Sequence, residues 1–405
     1  MVLTPTRHRL AESREEIEPL IQLCKEGRLF EVQEWIEENK PVDPPVPVNR
    51  RNRKHTPLQY AIERGFHSLV QVLLEGGASI GSEYGYCPMS LVISKRRLDL
   101  VKLIAAHGYQ SSKIDMDEVF ESWEPDIMEF FIDKGADMET GMPLATALCN
   151  RTRTALRILK KYHDRFPGFQ EQANVALRYH CQEGNLKWVS LLLWAGANPF
   201  TPGESEPGRE IDPEDGGLSA LGYAALWGNY KVFSLKQIEI DPDHPAVYEI
   251  LKYADKDEGY DLIHILLKKG MNPNEHENGG CSAIQSLLVS LDSCMYLRYS
   301  SWDDHSRKYD TETSRNKLKL IHLLAKYGGK WIPTDANEIT AARRALLKMT
   351  TDYTIEFVWI MSKYQACSKS DIKTLLKTPT IKKHTKEHRQ KLNELVDLFG
   401  IENSV

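Results

Sequence analysis

The sequence predicts an all-α chain built as a stack of short helical hairpins. Three observations carry that expectation. An apolar motif recurs at nearly regular intervals, glycines stand where hairpins must reverse, and in the best-formed unit a proline opens the first helix. The motif is an aliphatic residue, two others, then two bulky apolar residues. It reads Val32-x-x-Trp35-Ile36, Val70-x-x-Leu73-Leu74, Val101-x-x-Ile104-Ala105, Met128-x-x-Phe131-Ile132, Leu156-x-x-Leu159 and Val189-x-x-Leu192-Leu193, then Ile263, Leu320 and Ile355 in the same role. Apolar residues at i, i+3 and i+4 lie on one stripe of a helix. Helices with one such stripe, repeated about every thirty-three residues, must cover one another in a row. Between Val189 and Ile263 the interval is long enough for two units, and LSALGYAALWGNY (218–230) supplies the missing first helix.

The unit Thr56–Ser79 shows how one hairpin is specified. Pro57 suits the first helical turn, where its absent N–H would have had no partner. Leu58, Ala61 and Ile62 give the first helix a buried face, and small Ala61 lets a neighbour approach. Gly65 sits where the chain stops and reverses, a place for a left-handed residue. Val70, Leu73 and Leu74 bury the second helix, which Gly77 ends in the same way. Ala173–Pro199 repeats the plan, with Gly184 and Gly196 as far apart as Gly65 and Gly77.

These residues resemble the ankyrin repeat, whose pattern runs TPLH-x-A, a glycine, then LL-x-x-GA. The match rests on Thr56, Pro57, Leu58, Ala61, Gly65, Leu73, Leu74, Gly77 and Ala78. Gly184, Asn185, Leu192, Leu193, Gly196, Ala197 and Asn198 continue it, followed by Ala224, Ala225, Gly228 and Asn229, then Leu266, Leu267 and Gly270. It spans roughly 17–365, about ten units, three or four of them close to consensus. Gln59 replaces the family histidine, Arg96 and Trp123 stand where glycine is usual, and Cys87-Pro88-Met89 replaces TPL. The implied organisation is an N-terminal cap, first divergent repeat and basic loop (1–55), repeats (56–200), an acidic insertion (201–217), divergent repeats (218–366) with a loop insertion at 294–315, and a helical C-terminal cap (367–405). Terminal units of a stack need polar outer faces, and charges crowd the single apolar stripe of residues 12–40.

Three segments break the period. TPGESEPGREIDPEDGG (201–217) reads as a long acidic finger. Residues 294–315 carry Tyr296, Tyr299, Trp302 and Tyr309, aromatic types that anchor interfaces when exposed. NRRNRK (49–54) is a basic loop, and 369–391 holds eight basic against two acidic residues. A nucleic-acid contact through those two segments is the alternative they raise, though neither has a recognisable fold behind it. The net charge of −5 does not attract polyanions as a whole.

The catalytic inventory is thin. No phosphate loop, dinucleotide fingerprint, nucleophile elbow or HExxH helix occurs. His384 and His388 could share a face, but Lys383 and Lys386 would repel a cation. Asp303-Asp304-His305 are adjacent on a loop and converge poorly. His180-Cys181 falls on a repeat helix, where a thiol serves as a core residue. The expectation is therefore no enzyme, no cofactor, no metal and no small-molecule substrate. No apolar run approaches the roughly twenty residues of a membrane span. The N-terminal sequence lacks an apolar signal core. Seven unpatterned cysteines fit a reducing, cytoplasmic setting.

What the resemblance implies is binding of another protein, as scaffold or adaptor, or as a regulatory subunit that occludes an enzyme. Candidate contact residues are Gln59 and Arg64 (beside Glu63) on one first helix. Arg178, Tyr179 and Gln182 (with Glu183) lie on a later one, followed by Tyr223 and Trp227, and by Tyr299 and Trp302 in the insertion. Trp188 and Trp194 flank an apolar stripe and are expected to pack.

Overall fold

A computed structural model describes residues 10–46, 55–209, 217–239, 259–274, 282–285, 287–288, 305–332, 339–340, 342, 351–376 and 386–398. The basic loop 49–54, the finger tip 210–216 and residues 294–304, with Tyr299 and Trp302, lie outside it. Among the described residues, pairing of extended backbone is confined to two isolated bridges, Leu10 with Asp43 and Gly203 with Leu218. Everything else regular is helix. The chain divides into two compact units. One comprises Met1–Ala176 with Ala195–Ala197 and Ser205–Glu210; the other comprises Leu177–Trp194, Asn198–Glu204 and Ile211–Val405.

The first unit holds five hairpins. They are α1 (Arg14–Glu26) with α2 (Leu29–Glu37), α3 (Pro57–Arg64) with α4 (His67–Glu75), and α5 (Pro88–Ser94) with α6 (Leu98–Ala106). Then come α7 (Met116–Glu121) with α8 (Pro125–Asp133), and α9 (Pro143–Cys149) with α10 (Arg153–Tyr162). First helices pack on first helices, α1 to α3 to α5 to α7 to α9, and second helices on second helices, α2 to α4 to α6 to α8 to α10. Leu58, Ala61, Val70 and Leu73 are fully buried in this two-layer stack, as their stripe demands. Each leucine or valine taken from water so contributes about 1.5–3 kcal/mol. Helix starts follow their side chains. Ser13 and Thr56 accept the N–H groups of Glu16 and Gln59, and prolines 57, 88, 125 and 143 occupy first turns.

The second unit begins within α11 (Phe169–Gln182). It continues with α12 (Leu186–Trp194), α13 (Ala220–Leu226), a 3₁₀ turn at Tyr230–Ser234, α14 (Gly259–Lys268), α15 (His305–Lys326), α16 (Thr351–Lys363), α17 (Lys369–Leu376) and α18 (Lys386–Leu398). α13 is the first helix anticipated at 218–230, capped by Ser219 Oγ, which accepts the Gly222 N–H at 3.0 Å. Two expectations are corrected. Residues 305–315, read as part of a loop, are the first turns of the 22-residue α15. Trp194 is 62% exposed, whereas Trp188 is buried and stacks on His180, centroids 5.3 Å apart. At roughly 100° per residue, Trp194 lies about 140° from Val189 around α12, away from the buried stripe. Among the described residues, no helix is long and apolar enough to cross a membrane.

Candidate protein-binding surface

The residues singled out from sequence occupy first helices, but with unequal exposure. Gln59 is half-buried on α3 and its Nε2 donates to Glu63 Oε1 at 2.9 Å, while Arg64 is exposed at the helix end. Tyr179 is half-buried on α11, edge-on to His180, and Gln182 is half-buried beside it. Trp227 caps α13 and is 60% exposed.

Arg178 departs from its expected place. It is 1% exposed, because the base of the acidic finger lies over α11. Its Nε donates to Glu204 O at 2.6 Å and its Nη1 to Thr201 O at 3.1 Å. Gly203 passes so close that an added Cβ would stand 2.7 Å from the Arg178 guanidinium carbon. Across the finger, Gly203 N donates to Leu218 O at 3.2 Å, and Tyr223 Oη donates to Gly203 O at 3.3 Å. Arg178 and Tyr223 thus fasten the finger's first end to α11 and α13, and the Gly203–Leu218 bond joins the second end to it. Charge-assisted bonds to buried carbonyls are strong, so this base is firmly fixed. The acidic finger was legible in the sequence; its clamp was not.

A second device ties hairpin to hairpin. Asn274 accepts the Lys330 N–H at 2.6 Å and donates Nδ2 to Gly328 O at 2.9 Å. Asp43 holds the same place after α2, four residues past a left-handed Asn39, and its Oδ2 accepts the Ser79 N–H at 2.8 Å. A carboxylate has no N–H to give, and Asp43 Oδ1 is buried with no hydrogen-bond partner among the described residues. Burial, with Glu83 adding repulsion against the Ser79 bond, pushes the Asp43 carboxyl up to about 6. Nearby, Tyr84 Oη donates to Pro44 O at 3.1 Å, and Thr56 shares a short hydrogen bond with Tyr86.

Nucleophilic chemistry finds little support in these surroundings. Burial pushes the Cys24 and Cys149 thiols up to about 12, and raises Cys181 and Cys367 as well. An attacking thiol needs the opposite shift. Among the described residues, no group of three or more His, Cys, Asp or Glu could hold a metal ion. Of the histidine and aspartate patterns, His384, Asp303 and Asp304 lie outside the described residues.

Helical hairpins repeated in register, with first helices packed on first helices and second on second, define a helical repeat array. The family model for ankyrin repeats, in three copies, matches residues 18–115. That segment comprises ankyrin repeats. Comparison with curated proteins gave no match. Similar solved structures include the human ASB11 ankyrin repeat domain, at 18% identity and TM-score 0.36, covering 58% of this chain and 97% of that one. The ankyrin repeat domain of Bcl-3, described as a unique member of the IkappaB family, has 15% identity and TM-score 0.30 over 66% and 92% of the two chains. An ankyrin repeat domain from Acinetobacter baumannii AYE has 15% identity and TM-score 0.21, over 77% and 98%. Ankyrin repeats are generally protein-interaction modules.

Proposed function

We propose that this chain is a non-catalytic scaffold or adaptor that grips a protein partner on first helices of its second unit, beside the base of the acidic insertion. The observation that supports this most is the clamp on residues 201–204 and 217–218. The base of the insertion, fastened by a buried arginine, a tyrosine hydroxyl and a backbone bridge, is already ordered, so less ordering entropy is lost there on binding. Half-buried Tyr179 and exposed Trp227 lie on α11 and α13, the two helices that carry the clamp. Tyrosine and tryptophan are the residue types that concentrate binding energy. A partner with a basic rim suits the finger's charge. The test is affinity isolation with the full chain and with Tyr179→Ala plus Trp227→Ala, after matching their melting curves. Loss of specific co-purifying proteins is expected; an unchanged set overturns the choice of face.

A further inference from the structure

The turn between first and second helix occupies one register position in every hairpin of the first unit, and its residue is always left-handed. The series is Gly27 (φ +76°), Gly65 (+73°), Arg96 (+56°), Trp123 (+61°) and Arg151 (+65°). Three consecutive hairpins therefore place a bulky side chain where the two preceding hairpins use glycine. L-residues pay for the left-handed conformation, and tryptophan there is rare. A ring crowds the first glycine, and the movable tip of an arginine stands over the second. A Cβ on Gly27 would meet the Phe66 ring at 2.8 Å, and one on Gly65 would meet Arg97 Nη1 at 2.9 Å. The same contacts show that successive turns touch, Arg97 Nη1 donating to Gly65 O at 3.3 Å. Arg96, Trp123 and Arg151 are all exposed, Trp123 by 54%, and among the described residues no ion pair engages either arginine. Outliers of this kind gather at functional sites.

Because α5 packs on α7 and α7 on α9, the three residues form a line along the turn edge. At 8–10 Å per packed helix, Arg96 and Arg151 stand roughly 20 Å apart with Trp123 between them. Exposed Lys95 and Arg153 reinforce the basic ends, whereas Glu121 and Glu124 flank the tryptophan. The charge order along the edge is basic, acidic with an aromatic, basic. An evenly charged phosphate chain would set a phosphate against those glutamates. We propose that this edge, separate from the first-helix face and independent of it, binds a short extended acidic segment of a protein partner, two carboxylate clusters bracketing one apolar side chain. Seven extended residues span roughly the required 20 Å.

The probe is a fluorescein-labelled Glu-Glu-Ser-Leu-Ser-Glu-Glu peptide, read by anisotropy with the full chain at low salt. Controls are the Gln-for-Glu peptide and a labelled seven-nucleotide oligothymidylate. Arg96→Gly, Trp123→Gly and Arg151→Gly are combined, since glycine accepts the left-handed turn and keeps the fold. Expected are saturable binding of the acidic peptide, at least tenfold weaker binding by the triple variant and by the Gln peptide, and a melting temperature no lower than wild type. No saturable binding, an unchanged affinity in the variant, tighter binding of the oligothymidylate, or a lowered melting temperature overturns the proposal.

Discussion

Replacing Asp43 by Asn should stabilise the first unit, by an amount that depends on pH. Asp43 is 3% exposed and its carboxyl is pushed up to about 6, against about 3.9 in an unfolded chain. The folded state therefore holds this proton more tightly than the unfolded one. Stability from this group is complete below pH 4 and is lost as pH rises through 6. A difference of about two pKa units corresponds to about 3 kcal/mol. Asparagine carries no charge to bury, keeps an oxygen for the Ser79 N–H, and adds the N–H that Asn274 donates to Gly328 O. At pH 7.5, Asp43→Asn should raise stability by about 2–3 kcal/mol, and at pH 4 the two proteins should nearly coincide. Urea unfolding followed by far-ultraviolet circular dichroism at both pH values measures this, provided the slopes match. A variant no more stable at pH 7.5, or a gap that does not close at pH 4, would refute the reasoning.

Two further substitutions probe the turn and the clamp. Gly184→Ala should destabilise by about 2–3 kcal/mol in thermal or urea unfolding, since its φ is +68° and an added Cβ would stand 2.5 Å from Asn229 Oδ1. That contact would disturb the Asn229 bonds to Cys181 O and Gln182 O. Arg178→Met should free the carbonyls of Thr201 and Glu204 and lower stability by about 2–4 kcal/mol, with faster amide exchange at Gly203. Undiminished protection at Gly203 would show that the clamp lies elsewhere.

Much of the fold was legible because the repeat's signals are local. Pro57, Gly65 and the Val70–Leu74 stripe each act within one hairpin, and α13 followed from seven apolar or small residues in a row. What the sequence hid is tertiary. Arg178 has the character of a surface residue, and only the return of residues 201–204 over α11 buries it. Trp194, flanking the stripe, was expected to pack because closeness in sequence conceals an angular step around the helix. Residues 305–315, rich in charge and poor in apolar residues, carry no amphipathic stripe, so their helix had no pattern to announce it. Arg96 and Trp123 were visible as departures from glycine. Their shared left-handed backbone, and the membership of Arg151 in the same line, required coordinates.

The crowding of Gly27 by Phe66, of Gly65 by Arg97 and of Gly184 by Asn229 has a consequence for how such a chain can change. The residue tolerated at each bend is dictated by the hairpin that comes after it, so the grammar runs in one direction. Duplicating the hairpin that contains Phe66 would impose a demand for glycine on its new predecessor. Hairpins in this chain are not freely exchangeable bricks; each carries a condition addressed to the one before.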